Sequence, residues 1–287
     1  MKRLIGIAPW FFVFIWASGF VVAKYAFANS DVIFFLAVRL TIATLILAAI
    51  TLATGNSLRL SREDARSSIA IGIFLHVLYL AGVWWAISLG ATSGVSAVIT
   101  SLQPVIVSLV GIKLLNEPLR PRQFVGLITG FAGVLLVILP KLQATHGLSM
   151  AALAFLFLAL SGSTSSTLLQ KRIGHSIPLL AGTTYQFGAA AVLLTVISFA
   201  MGRTHLAWNL ESSLAMAWAV IVTSVIAVLI LLWLLNRGSA AKVTSLLYLI
   251  PPTTALQAYI LFGEKLNAQG VIGIAMTALG VSLVIKN

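Results

Sequence analysis

Arg39 stands well inside an apolar run, Val32–Ala53, of this 287-residue chain. About eight residues from the start of the run, it would sit roughly 12 Å along a helix rising about 1.5 Å per residue. A charge at depth in hydrocarbon costs at least about 2.5–3.5 kcal/mol, so it must face protein or water. Two roles fit. One is a carboxylate anchor or part of an outer gate; the other is a structural pair with Asp31, Glu264 or a helix-end carbonyl. Lys24, near the end of the first apolar run, either snorkels to the interface or adds a second cation to the same vestibule. His76 is the one histidine inside an apolar run. Its side chain can carry a proton near neutral pH, which makes proton coupling a candidate, against a hydrogen-bonded packing role.

A second group is polar without charge. Gln103-Pro104 and Pro251-Pro252 fall at matching places in two later runs, with Gln257 nearby. Proline removes a backbone donor and frees an upstream carbonyl, which lipid tolerates only where it is buried or faces water. Paired kinks around a polar pathway are the reading. Tyr79 lies deeper than an interfacial position and is a candidate to line a cavity, and Tyr248 on the expected ninth helix is a further pathway candidate; Trp84, Trp85 and Trp233 read as belt or packing. The segment Ser161–Thr167 is rich in hydroxyls, which either bond back to carbonyls one turn earlier or line a cavity. Glu117 and Glu264 close two runs and are candidate gate latches or static anchors. Gly126, Gly130 and Gly133 read as close helix packing.

The elements that hold these residues follow from composition. The chain is 60% hydrophobic and only 8% charged, with mean hydropathy +1.07. A soluble domain carries about a quarter charged residues, so lipid must be the solvent of this chain. Spans of roughly 20 apolar residues are expected at Ile5–Ala28, Val32–Ala53, Ser67–Leu89, Thr92–Leu115 and Phe124–Leu139. Five more are expected at Ser149–Gln170, Ile177–Met201, Ser212–Leu235, Ser239–Phe262 and Ala268–Ile285. The first run is too long for a signal peptide's apolar core and reads as an uncleaved helix.

The net charge of +12 does not indicate nucleic acid, because Lys and Arg are scattered between apolar runs without a basic face. Placing the N-terminus in the cytoplasm puts thirteen of them inside and four (Lys24, Lys141, Arg203, Lys265) outside, Arg39 apart. Both termini are then cytoplasmic. There are no cysteines, and neither metal-ligand spacing nor a nucleophile-and-base motif occurs. No cofactor is expected, and an intramembrane enzyme is disfavoured.

Trp85, Gly90, Pro104, Glu117, Gly126 and Gly133-Val134 recur as Trp233, Gly238, Pro252, Glu264, Gly273 and Gly280-Val281. The offset is 148 residues up to the proline and 147 after it. Each half, 1–143 and 144–287, then holds five helices, and an odd number inserts the copies in opposite directions. Inverted repeats typify transporters whose site lies where the halves meet.

Trp16-Ala17-Ser18-Gly19-Phe20 with Lys24, then Arg39, Asn116-Glu117-Pro118-Leu119, Pro251-Pro252 and Gly263-Glu264-Lys265 resemble the EamA-type drug/metabolite transporters. The resemblance implies an all-α polytopic membrane protein of ten helices in two inverted repeats, exporting amino acids or related small metabolites from the bacterial inner membrane. Small multidrug relatives carry a buried Glu in the first helix, whereas Ile5–Ala28 has no acid. Neutral, zwitterionic or anionic cargo is therefore expected. A sugar or nucleotide-sugar carrier is the alternative within transporters, and a channel the one outside them. Oligomeric state is open.

Overall fold

The computed structural model describes residues 2–26, 30–91, 96, 99–142, 149–262 and 268–285. Besides short helical pieces at 96 and 99–100, ten helical stretches are found among them. The first repeat's are α1 (Lys2–Ala26), α2 (Val32–Ala53), α3 (Arg62–Ser88), α4 (Gln103–Leu114) and α5 (Pro121–Leu142). The second repeat's are α6 (Met150–Ile173), α7 (Leu179–Ala200), α8 (Leu210–Arg237), α9 and α10 (Ala268–Ile285). α9 is composite: Ala240–Ser245, a 3-10 turn over Leu246–Leu249, then Ile250–Phe262. By length and apolarity six of them, α2, α3, α6, α7, α8 and α10, can each cross a membrane, while the apolar parts described in α1, α4 and α5 are shorter.

Local chemistry sets the ends. Ser61, Ser149 and Asn209 each accept a backbone N–H of the first turn of α3, α6 and α8, satisfying donors that a helix start leaves open. The turns after α2 and α7 use Gly55 and Gly202, both at positive φ (73° and 63°) and 147 residues apart. In this left-handed region glycine pays no Cβ clash.

The polarity is inverted relative to a soluble fold. Leu45, Val192, Phe199 and Ile260 are all more than half exposed, on surfaces that lipid would cover. Inside are Arg39, His76, Gln103, Gln170 and a set of Ser and Thr side chains, all buried. Most of those hydroxyls donate to a carbonyl three or four residues earlier, as Thr51, Ser163, Ser166 and Thr183 do. In the hydroxyl-rich stretch of α6, Ser161, Ser163 and Ser166 bond locally, and Gly162 sets the stretch against Phe74 and Leu78 of α3.

Two antiparallel contacts join the halves. Along α2 and α7, Phe34 meets Phe199 edge-on at 6.3 Å, and Thr44 approaches Gly188. In α5 and α10 glycines let the backbones touch: a Cβ on Gly126 would stand 2.7 Å from the Gly280 carbonyl oxygen, and one on Gly133 would stand 2.7 Å from that of Gly273. These two contacts map onto each other under the 147-residue shift, so the repeat is written into the packing as well as the sequence.

The matched prolines sit at helix breaks rather than at kinks within continuous helices. Ser101 and Leu102 form a turn and Pro104 opens the first turn of α4, while Pro251 and Pro252 follow the 3-10 turn in α9. A proline lacks the N–H that a first helical turn leaves unused, so both helices restart there at little cost.

Candidate functional site

Both α3 and α8, the third helices of the two halves, loosen into π-helical stretches at Ile73–Ala81 and Ala219–Ile226. Such stretches widen the turn and often mark functional positions. A cavity of about 60 Å³ lies beside them, walled by α1, α2 and α3 of the first half and α8 of the second. It has room for several waters, each needing about 10–15 Å³.

Arg39 enters from α2. Its Nε donates to the Ser224 hydroxyl and its Nη2 to the Thr223 hydroxyl, both at 2.8 Å. The guanidinium carbon lies 5.9 Å from the Trp84 ring centroid, within cation–π range. Thr223 passes its own hydrogen to the Ala219 carbonyl, leaving its oxygen free to accept. Among the described residues no carboxylate pairs with Arg39. Of the structural partners anticipated for it, Asp31 instead accepts the His205 backbone N–H at 2.9 Å, and Glu264 lies outside the described residues.

His76 and Tyr79, one turn apart on α3, form the opposite wall, with Trp16 and Gly19 of α1 beside them. The imidazole stands edge-on to Phe187 at 4.4 Å, and its Nε2 is buried without a hydrogen-bond partner. Phe187 is 148 residues after Arg39, and Ser224 is 148 after His76. One packing relation thus occurs twice with different chemistry, guanidinium on hydroxyl in one copy and phenyl on imidazole in the other. The duplicated frame holds a one-sided charge.

Of the residues singled out from sequence, the structure gathers Arg39, His76 and Tyr79 at this cavity. Gln103 is elsewhere, donating to the Ser163 carbonyl at 3.2 Å and the Thr167 hydroxyl at 3.0 Å, and so tying α4 to α6. Pro104 accepts from Ser108. Gln257 donates to the Phe14 carbonyl at 3.0 Å, tying α9 to α1. Tyr248 is fully buried against Gly130, and its hydroxyl is unpartnered. Pro251 and Pro252 stay at the α9 break. The side chain of Lys24 lies outside the described residues. Trp16, Trp84, Thr223 and Ser224 were not read as pathway residues. The 148-residue shift applied to His76 would have pointed to Ser224.

Glu117 takes part in a second constellation. Its Oε1 lies 3.6 Å from Lys171 Nζ, and its Oε2 accepts the Ala240 N–H at 2.8 Å. Lys171 also donates to the carbonyls of Leu235 (3.3 Å) and Gly238 (2.6 Å). The pair therefore clasps the start of α9 and the end of α8, with the acid at a positive helix end and the base at a negative one. The shift of 147 that holds after the proline turns Glu117 into Glu264, the same residue type. Lys171→Met is expected to cost about 1 kcal/mol, since a partly exposed pair counts for little beyond its helix-end bonds. The charge-swapped Glu117→Lys/Lys171→Glu double variant should melt no higher than Lys171→Met, because each swapped charge opposes a helix dipole. Recovery of the parent melting temperature would show a simple ion pair.

A bundle of long apolar helices around a polar cavity, built twice over, defines a multi-pass membrane protein of solute-carrier type. The chain belongs to the EamA-like transporter family, whose model matches residues 7–139 and again 148–286. It is 25% identical to the uncharacterized transporter YvbV of Bacillus subtilis, over 96% of this chain and 89% of that one. It is 24% identical to the uncharacterized inner membrane transporter YedA of Escherichia coli, over 94% and 87%. An uncharacterized transporter of Archaeoglobus fulgidus is also 24% identical, over 94% and 95%. A solved crystal structure superposes with a TM-score of 0.81 at 19% identity, covering 96% of this chain and 94% of the other, and so shares the fold. The protein is a membrane transporter of this family.

Proposed function

We propose that the chain is a secondary active transporter that exports amino acids or related small zwitterionic or anionic metabolites by alternating access. In this reading its ten helices all span the bacterial inner membrane, as two inverted five-helix repeats, 1–143 and 144–287, with both termini cytoplasmic. The observation that carries it is the cavity itself: a buried guanidinium, without a carboxylate among the described residues, held between α2 of one half and α8 of the other. A site bridging two similar halves changes its exposure when they rock against each other. The antiparallel contacts of α2 with α7 and α5 with α10 support opposite insertion, and the Lys/Arg bias supports the orientation. His76 at the cavity wall is the candidate proton carrier. The test is counterflow of labelled amino and organic acids in proteoliposomes. A carrier gives saturable exchange, whereas a channel gives flux without counterflow.

The absence of cysteine makes orientation directly measurable. Single cysteines at Ser57 and Ser176 are expected to react with a membrane-impermeant maleimide only from the cytoplasmic side, and one at Arg203 only from outside. Labelling of all three from one side would remove the inverted arrangement.

A further inference from the structure

We infer that the Arg39 cavity is a binding site for small monocarboxylate anions and prefers them to the matching zwitterions. The inference deepens the transporter reading and rests on it for biological role, though not for the binding itself.

An arginine side chain offers five N–H donors. Ser224 and Thr223 use one on Nε and one on Nη2, which leaves three without an acceptor among the described residues on a side chain that lines the cavity. The two hydroxyls orient the guanidinium but bring no negative charge, and Trp84 supplies only the face of a ring. A desolvated cation without a counter-charge attracts one, and a guanidinium fork matches a carboxylate in a two-pronged bond. The site is thus a built half of an ion pair: a cation 7% exposed, fixed by two 2.8 Å bonds, with no acid beside it among the described residues.

The rest of the cavity selects the partner. Among the described residues no acid lines it, so the ammonium of an amino acid finds no carboxylate among them and stands near Arg39 as a like charge. His76 Nε2, buried and unpartnered, is the second polar contact. It donates to the anion in one tautomer and accepts a hydroxyl hydrogen in the other. Leu75, Leu80, Val83 and Val228 complete an apolar lining around the carbon chain. Size limits that chain. About 60 Å³ is less than half of the roughly 150 Å³ cavity that takes up benzene, which suits acids of about three carbons.

Three probes of one size and different charge test this with purified protein in detergent, by isothermal titration: L-lactate, L-alanine and 1-amino-2-propanol. Lactate is expected to bind at least tenfold more tightly than alanine, with no heat from the amine. Arg39→Lys should weaken lactate binding, and Arg39→Gln should abolish it. The inference is overturned if alanine binds as well as lactate, if the amine binds, if none of the three does, or if Arg39→Gln retains lactate. Should Arg39→Gln fail to fold, the wild-type ranking and the lysine variant decide. Counterflow in proteoliposomes separates the two claims. Alanine exchange without lactate exchange keeps the carrier and removes the anion preference; lactate binding without exchange of any labelled solute does the reverse.

Discussion

Thr223→Val with Ser224→Ala is expected to destabilise the protein severely and to stop transport, and adding Arg39→Met should restore stability but not transport. Each of the two hydroxyls accepts one guanidinium N–H at 2.8 Å within a buried environment. Hydrogen bonds to charged groups contribute about 1.5–3 kcal/mol each, and a buried charged donor left unpaired costs its full desolvation. Cavity water recovers part of that, so a net loss of about 3 kcal/mol is expected for the pair. At about 2–4 °C per kcal/mol, the thermal midpoint in detergent falls by roughly 6–12 °C. Methionine at position 39 removes the stranded charge and fills similar volume. Replacing a buried polar network completely is often near neutral, whereas breaking half of it is not. The triple variant should therefore melt within a few degrees of the parent while solute counterflow stays at background. If the double variant melts normally, the hydroxyls do not hold Arg39. If the triple variant transports, Arg39 is not part of the route.

How far the site was legible in the sequence depends on residue type. Arg39 and His76 announce themselves, because ionisable groups inside apolar runs are costly and few. Thr223 and Ser224 do not, since hydroxyls on apolar helices ordinarily bond to their own backbone, as Thr183 and Thr184 do here. Nothing local distinguishes the two that turn to a guanidinium 184 and 185 residues away in the chain. The π-helical stretches in α3 and α8 share no sequence marker: glycines, Gly72 and Gly82, bound the first, whereas Trp218 and Ala227 bound the second. Gln103 and Gln257 stand out in the sequence as polar groups near the matched prolines. Their N–H groups go instead to neighbouring helices, where they act as ties.

The fold was more legible, because it follows from apolar run length and from repetition. The expected Val32–Ala53 coincides with α2, and Ala268–Ile285 with α10. Where charged residues flank a run, the boundary was harder to see. α3 starts at Arg62, and α5 at Pro121, because capping and a proline start extend helices into polar sequence. The span expected at Thr92–Leu115 is broken at Ser101–Leu102 among the described residues, since Pro104 is easier to place at a helix start than inside one.

The backbone contact between α5 and α10 carries the other large effect. A Cβ on Gly280 would fall on the Gly130 backbone nitrogen and within 2.6 Å of the Gly126 carbonyl oxygen. These are main-chain atoms of a second helix, so no side-chain rotation relieves the clash and α5 and α10 must separate. Overpacking of this kind costs about 1–3 kcal/mol, here at the upper end because the contact runs along the helix pair. Gly280→Ala should therefore lower the thermal midpoint by roughly 5–10 °C at about 2–4 °C per kcal/mol. Gly111→Ala is the control: its nearest neighbour for a Cβ is Leu115 Cδ1 at 3.7 Å, ordinary contact, and alanine gains up to about 1 kcal/mol of helix propensity. It should melt at or above the parent temperature. The repeat adds a sharper expectation. Gly133 meets Gly273 as Gly280 meets Gly126, so Gly133→Ala should cost about as much as Gly280→Ala. The double variant should cost less than twice as much, because helices already forced apart have less contact left to lose. Full additivity would mean that the two ends of the contact yield independently, and an unchanged midpoint for Gly280→Ala would mean that the two helices are not packed backbone to backbone.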